Sequence, residues 1–117
     1  MSQTQYSILT DPSHGWLQVS IFEASELQIL DKISRFSYID NNYVYLEEDA
    51  DIGVFLKAKF QLPEDSEYDE TQKATLQQFF LGCLDSYSNN SPVRKKQNYS
   101  AESARRKIQK HIQLDKV

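Results

Sequence analysis

The clearest alternation of hydrophobic and polar positions lies between residues 35 and 46. Two aromatic runs, Arg35-Phe36-Ser37-Tyr38-Ile39 and Tyr43-Val44-Tyr45-Leu46, flank Asp40-Asn41-Asn42. Side chains on a strand alternate between faces, and Asn and Asp tolerate the positive φ of tight turns, so this pattern predicts a β-hairpin. Upstream, residues 6–9 read as a short edge strand ending at the turn Asp11-Pro12-Ser13-His14-Gly15. Trp16, Leu17, Val19 and Ile21 predict a second strand of bulky, β-prone residues. The spacing of Ala24, Leu27 and Leu30 then shifts toward a short helix entered through Glu23 or Ser25.

Helical periodicity dominates further along the chain. Ile52, Phe55, Leu56 and Lys59 mark a helix whose N-terminus favours the preceding carboxylates. Residues 61–70 are acidic and aperiodic and read as a solvated loop. Leu76, Phe79, Phe80, Cys83, Leu84 and Tyr87 form the strongest helical stripe and are expected to anchor the core. Residues 86–92 read as a loop. Ser100 then predicts the N-cap of a last helix over about 100–113, with Ala101, Ala104, Ile108 and Ile112 on its apolar face. The expected fold class is α+β: a small antiparallel sheet of three or four strands, packed by two or three helices, plus a basic C-terminal helix.

The chain has 117 residues, 39% hydrophobic and 12% aromatic, which suits a single core. No apolar run approaches the roughly 20 residues needed to cross a bilayer, and residues 1–10 lack the pattern of a secretory signal. A single cysteine, Cys83, excludes an internal disulfide and a multi-cysteine zinc cage. These features point to a cytoplasmic protein that meets no membrane.

Charge divides the chain in two. Residues 1–90 hold 15 acidic against 5 basic side chains, while residues 91–117 hold 2 against 8, within a net charge of -4. The expectation is an acidic α+β domain over 1–90 and a basic tail over 91–117. An acidic face built from Glu47, Glu48, Asp49 and Asp51 with Glu64, Asp65, Glu67, Asp69 and Glu70 would imitate nucleic-acid phosphates and engage a basic groove on a partner protein. The bland alternative is a solvated surface that aids solubility. The tail offers Arg94, Lys95, Lys96, Arg105, Arg106, Lys107 and Lys110 with Tyr99 interleaved, a set suited to nucleic acid. Equally, it would pair with the acidic body of its own chain or of a second copy in a homodimer.

Candidate chemistry is sparse. His14 with Glu47, Glu48, Asp49 and Asp51 has the donor types for a divalent metal or for proton transfer, yet no spacing fixes two ligands on one helix face. Capping of a turn and a helix explains the same residues. Cys83 lies within an apolar stripe, where a thiol behaves as a small hydrophobe. Glycine-rich phosphate loops, nucleophile elbows and dinucleotide fingerprints are absent, so no cofactor is expected and catalysis is not favoured.

Three strings, D-x-x-H-G-W-L-x-V from Asp11, I-S-x-x-S-Y from Ile33 and V-Y-L-E-E-D-x-D from Val44, occur in order within residues 11–59. Together they resemble a group of small uncharacterised proteins of bacterial plasmids and phages. Ser91, Val93, Arg94 and Tyr99 answer to a later segment of that group, whereas Lys96 departs from it. The resemblance implies an accessory role on a mobile genetic element and carries no activity. The polar residues that recur in these strings, His14, Ser34, Ser37 and Tyr38 with Glu47, Glu48, Asp49 and Asp51, would form a polar cluster at one end of the sheet where the second strand neighbours the hairpin, and packing of Trp16 with Tyr45 and capping by His14 and Asp49 explain the same residues structurally. The leading expectation is therefore a non-enzymatic accessory protein, anti-defence or regulatory, that binds a protein partner. Nucleic-acid binding through the tail comes second and a metal-dependent hydrolase third.

Overall fold

The computed structural model describes residues 5–64 and 67–115. Six strands form one sheet in the order β5-β1-β2-β4-β3-β6: β1 (Ser7–Thr10), β2 (Gly15–Ser20), β3 (Tyr38–Ile39), β4 (Tyr43–Glu47), β5 (Leu84–Tyr87) and β6 (Gln97–Asn98). Four helices complete the α+β fold: α1 (Ile21–Glu26), α2 (Ile52–Phe60), α3 (Glu70–Leu81) and α4 (Ala101–Asp115). No helix among the described residues is long and apolar enough to cross a membrane.

The sheet is larger than expected and mixed rather than antiparallel. The hairpin forms as read, with Tyr38 opposite Tyr45 and Ile39 opposite Val44. The two added strands come from segments with no strand pattern of their own. β5 pairs parallel to β1, Ser7 opposite Leu84, and β6 adds Asn98 opposite Tyr38. The apolar stripe that predicts one helix through Tyr87 is thereby split. α3 ends at Gly82, and Leu84 and Tyr87 become exposed residues of an edge strand. No residue of α3 is buried, so it leans on the core through Leu76 and Phe79 rather than anchoring it.

Strand alternation sorts the core onto two faces. Leu17, Val19, Ile39, Val44 and Leu46 join Ala24, Phe55, Leu56, Tyr99 and Ala104 in the main cluster, on the face covered by helices. Trp16 and Tyr45 point the other way and meet Val93 in a second cluster, capped by the tail. The segment after residue 90 supplies Val93 to one face, a strand to the sheet edge, and Tyr99 and Ala104 to the main core.

Side chains cap three of the helix N-termini, whereas at α2 the N-cap Asp51 makes no side-chain cap hydrogen bond, so the expected carboxylate cap does not form there. α1 starts earlier than its periodicity suggests because Ser20 Oγ accepts from Phe22 N, making Ser20 the N-cap in place of Glu23 or Ser25. Asp69 and Gln72 form a reciprocal capping box on α3. At α4, Ser100 Oγ accepts from Ser103 N.

Candidate functional site

The register of β2 and β4 builds the site. Trp16 lies opposite Glu47, so antiparallel continuation brings His14, two residues before Trp16, level with the turn after β4. Gly15 O accepts from Glu48 N at 3.0 Å, which holds the two segments together. A Cβ at Gly15 would stand 3.2 Å from both Glu48 Oε2 and Thr10 Cγ2, so the close approach favours glycine. Asp11 shapes the turn from the other side, its Oδ1 accepting from Ser13 N at 2.8 Å and His14 N at 2.9 Å.

The result is a convergence of His14, Glu47, Glu48 and Asp49, each offering a ligand atom within 4.8 Å of the others. Glu47 is buried, and its Oε2 accepts from Asp49 N and Ala50 N at 2.7 and 2.9 Å. Its Oε1 stands 3.6 Å from His14 Nδ1, and Glu48 Oε1 stands 3.9 Å from the same nitrogen. Both separations are too long for hydrogen bonds.

His14, Glu47 and Asp49 of this cluster line a pocket of about 400 Å³ together with Trp16, Tyr38, Arg35, Phe36, Arg94 and Asn98, while Glu48 stands outside its lining. Trp16 is its floor, with Tyr38 edge-on at 6.0 Å and the Arg94 guanidinium 5.1 Å from the indole. Trp16 Nε1 is buried without an acceptor, the one such side-chain atom among the described residues. Arg94 also reaches Asp11 Oδ2, and this guanidinium holds the Asp11 carboxyl well below the usual carboxylate range against its partial desolvation.

Asp51, grouped in sequence with the acidic face, is instead 1% exposed and faces inward. It accepts from Ser34 N at 3.0 Å, Ser34 Oγ at 2.7 Å and Ser37 Oγ. Ser37 Oγ in turn accepts from Glu47 N at 2.9 Å. Ser34, Ser37 and Asp51 thus form a buried brace behind Glu47, while Tyr38 lines the pocket itself.

The remaining acids stand elsewhere. Residues 47–51 precede α2 and residues 61–64 follow it, nine residues or about 13 Å away along its axis, so the described acids of the two runs form no continuous row. Glu64, Glu67, Asp69 and Glu70 are exposed, and Asp65 lies outside the described residues. The tail folds onto the acidic body of its own chain. Arg94 pairs with Asp11, Lys96 with Asp40 at 3.3 Å and Arg105 with Asp31 at 2.5 Å, whereas Arg106 pairs within the tail, with Glu102 one turn earlier on α4. Lys95 and Lys110 stay exposed and Lys107 half-buried. Tyr99 is buried with its hydroxyl on Leu30 O, so it is withdrawn from any base-stacking role. Cys83 Sγ donates to Phe79 O, and burial with the nearby Asp85 charge raises its pKa, the opposite of an activated nucleophile.

Sequence reasoning missed Trp16, Arg35, Phe36, Ala50 and Asn98 as pocket residues. Asn98 reaches the site through β6, for which no local pattern exists, and its amide donates to Arg35 O at 3.2 Å. No family model, curated protein or solved structure matches the chain.

Proposed function

We propose that the chain is a non-enzymatic accessory protein that binds a protein partner at this pocket, taking in one basic side chain. The observation that carries the reading is an aromatic side, Tyr38 and Phe36 over the buried Trp16, facing Glu47 and Asp49 of the pocket wall, with Glu48 beside them in the same carboxylate cluster. An arginine or lysine stem would lie along Tyr38 and the exposed Phe36 ring, above the buried Trp16 that Arg94 already covers, while its charged head meets the wall. Basic anchors that pack on aromatic rings and are shielded from water are recurrent hot spots of protein interfaces. The three motifs that resemble plasmid and phage proteins contribute His14, Trp16, Tyr38, Glu47 and Asp49 to the pocket, which supports an accessory role on a mobile element.

Nucleic-acid binding through the tail has weaker support, because four of its seven named cations are engaged in ion pairs within the chain. The phosphate-imitating row narrows to the pocket wall, since Asp51 is buried and the second acidic run follows α2.

The test is affinity capture from the native host with three baits: the native chain, Glu48→Lys with Asp49→Lys, and Glu64→Lys with Glu70→Lys. A stoichiometric protein retained by the first and third baits and lost by the second supports the reading. Equal retention by all three, or no stoichiometric protein, rejects it.

A further inference from the structure

We infer that His14, Glu47, Glu48 and Asp49 bind one divalent first-row transition-metal cation, of the Mn²⁺ or Zn²⁺ class, at the wall of the pocket. The donors come from two places in the chain, the residue before β2 and the end of β4 with its following turn, and the strand register sets them face to face. One imidazole and three carboxylates form a mixed N/O set. The carboxylates alone would suit Mg²⁺ or Ca²⁺, and the imidazole moves the preference to a first-row ion.

Distances fit an ion better than they fit direct pairing. With metal–ligand bonds of about 2.1 Å, neighbouring donors stand about 3 to 3.6 Å apart and opposite donors about 4.2 Å. His14 Nδ1 lies 3.6 Å from Glu47 Oε1 and 3.9 Å from Glu48 Oε1, and all four donors fall within 4.8 Å. Small side-chain rotations close that spread around one centre.

Charge gives a second, independent reason. Asp11, Glu23, Asp31 and Asp40 each face an Arg or Lys, but none of the ion pairs among the described residues joins Glu47, Glu48 or Asp49 to one. The side chain that stands nearest to them is the His14 imidazole, 3.6 Å from Glu47 Oε1 and 3.9 Å from Glu48 Oε1. Glu47 is 8% exposed, and no hydrogen bond within the described residues reaches its Oε1, although two amides hold Oε2. A buried carboxylate fixed by one oxygen, with the other turned toward two more acids, lacks a counter-charge.

The ligands are also held in advance. Asp11 orients the His14 backbone, Ser37 Oγ fixes Glu47 N, and the Glu48 amide is tied to Gly15 O. Positions on the ion not taken by the protein would open onto the pocket, toward Arg35 and Arg94. The ion and a partner's basic side chain would use the same carboxylates, but ion binding is measured on the chain alone, so either reading can fail without the other.

The experiment titrates EDTA-treated, dialysed full-length chain with Mn²⁺, read by calorimetry and by electron paramagnetic resonance. One Mn²⁺ per chain is expected, with a nitrogen coupling from His14 in the pulsed spectrum. His14→Ala and Asp49→Asn, both at exposed positions and both checked for folding by circular dichroism, are expected to weaken binding at least tenfold. Glu70→Gln, at the start of α3, is expected to leave it unchanged. No saturable binding, or binding that both site variants retain at full strength, overturns the inference.

Discussion

Arg94 Nε donates to Asp11 Oδ2 at 2.5 Å across 83 positions of sequence, joining the tail to the turn that sets His14 in place. One guanidinium therefore covers Trp16, neutralises Asp11 and closes a side of the pocket. The Asp11 carboxyl is held below its ordinary range by Arg94 first and by the Ser13 and His14 amides. A depressed folded-state value means stability that is complete above the unfolded carboxylate range, near pH 4, and lost as pH falls through the folded value.

Arg94→Ala is accordingly expected to destabilise the chain by a constant amount above about pH 5, with the difference from the native chain shrinking in acid. Urea unfolding across pH 2 to 7 checks this. A gap that persists undiminished at pH 2 would mean that Arg94 acts by packing on Trp16 alone.

Asp51→Ala removes the acceptor for Ser34 N, Ser34 Oγ and Ser37 Oγ in a buried site. Hydrogen bonds to a buried charge contribute about 1.5 to 3 kcal/mol each and are not additive, so a loss of about 3 kcal/mol is expected in urea unfolding. Because Ser37 also holds Glu47 N, the same variant is expected to weaken ligand binding at the pocket.

On the helix-covered face, Glu23 is 2% exposed and lies between Lys59 Nζ at 2.8 Å and Tyr6 Oη at 2.7 Å. Desolvation, with Glu23 adding to it, pushes the Tyr6 phenol up to about 12. Lys59→Met leaves a buried carboxylate without its cation and is expected to cost about 3 to 5 kcal/mol. Adding Glu23→Gln should restore a large part of that loss, measured by thermal unfolding.

What the sequence made legible was local. The hairpin, α2 and the turn at residues 11–15 each carry their pattern within a dozen residues, and the His14–carboxylate grouping follows once β2 pairs with β4. The misreadings all involve long-range pairing. Leu84 and Tyr87 continue a helical period by spacing alone, but the unpaired edge of β1, more than seventy residues away, takes them as a parallel strand. Gln97 and Asn98 have no strand preference and pair only because β3 leaves an open edge. Asp51 looked like one more surface acid. Ser34 and Ser37, spaced to present two hydroxyls, were the available sign that a buried acceptor waited for them.

α4 is held by apolar burial as well as by charge, since Ala104 is fully buried while Arg105 and Arg106 pair at the surface. Exposed pairs contribute about 0 to 1 kcal/mol and are screened by salt. Limited proteolysis is therefore expected to find α4 protected at 0.5 M NaCl in the native chain and cleaved at low salt in Ala104→Glu. Release of native α4 by salt alone would show that charge holds it.

The most direct test of the account is amide chemical-shift mapping of the ¹⁵N-labelled chain with its captured protein partner. Perturbations centred on residues 14–16, 35–38 and 47–50 are predicted, where aromatic floor and carboxylate wall meet. Shifts confined to the exposed edge around Leu81, Leu84 and Tyr87, with the pocket silent, would contradict it.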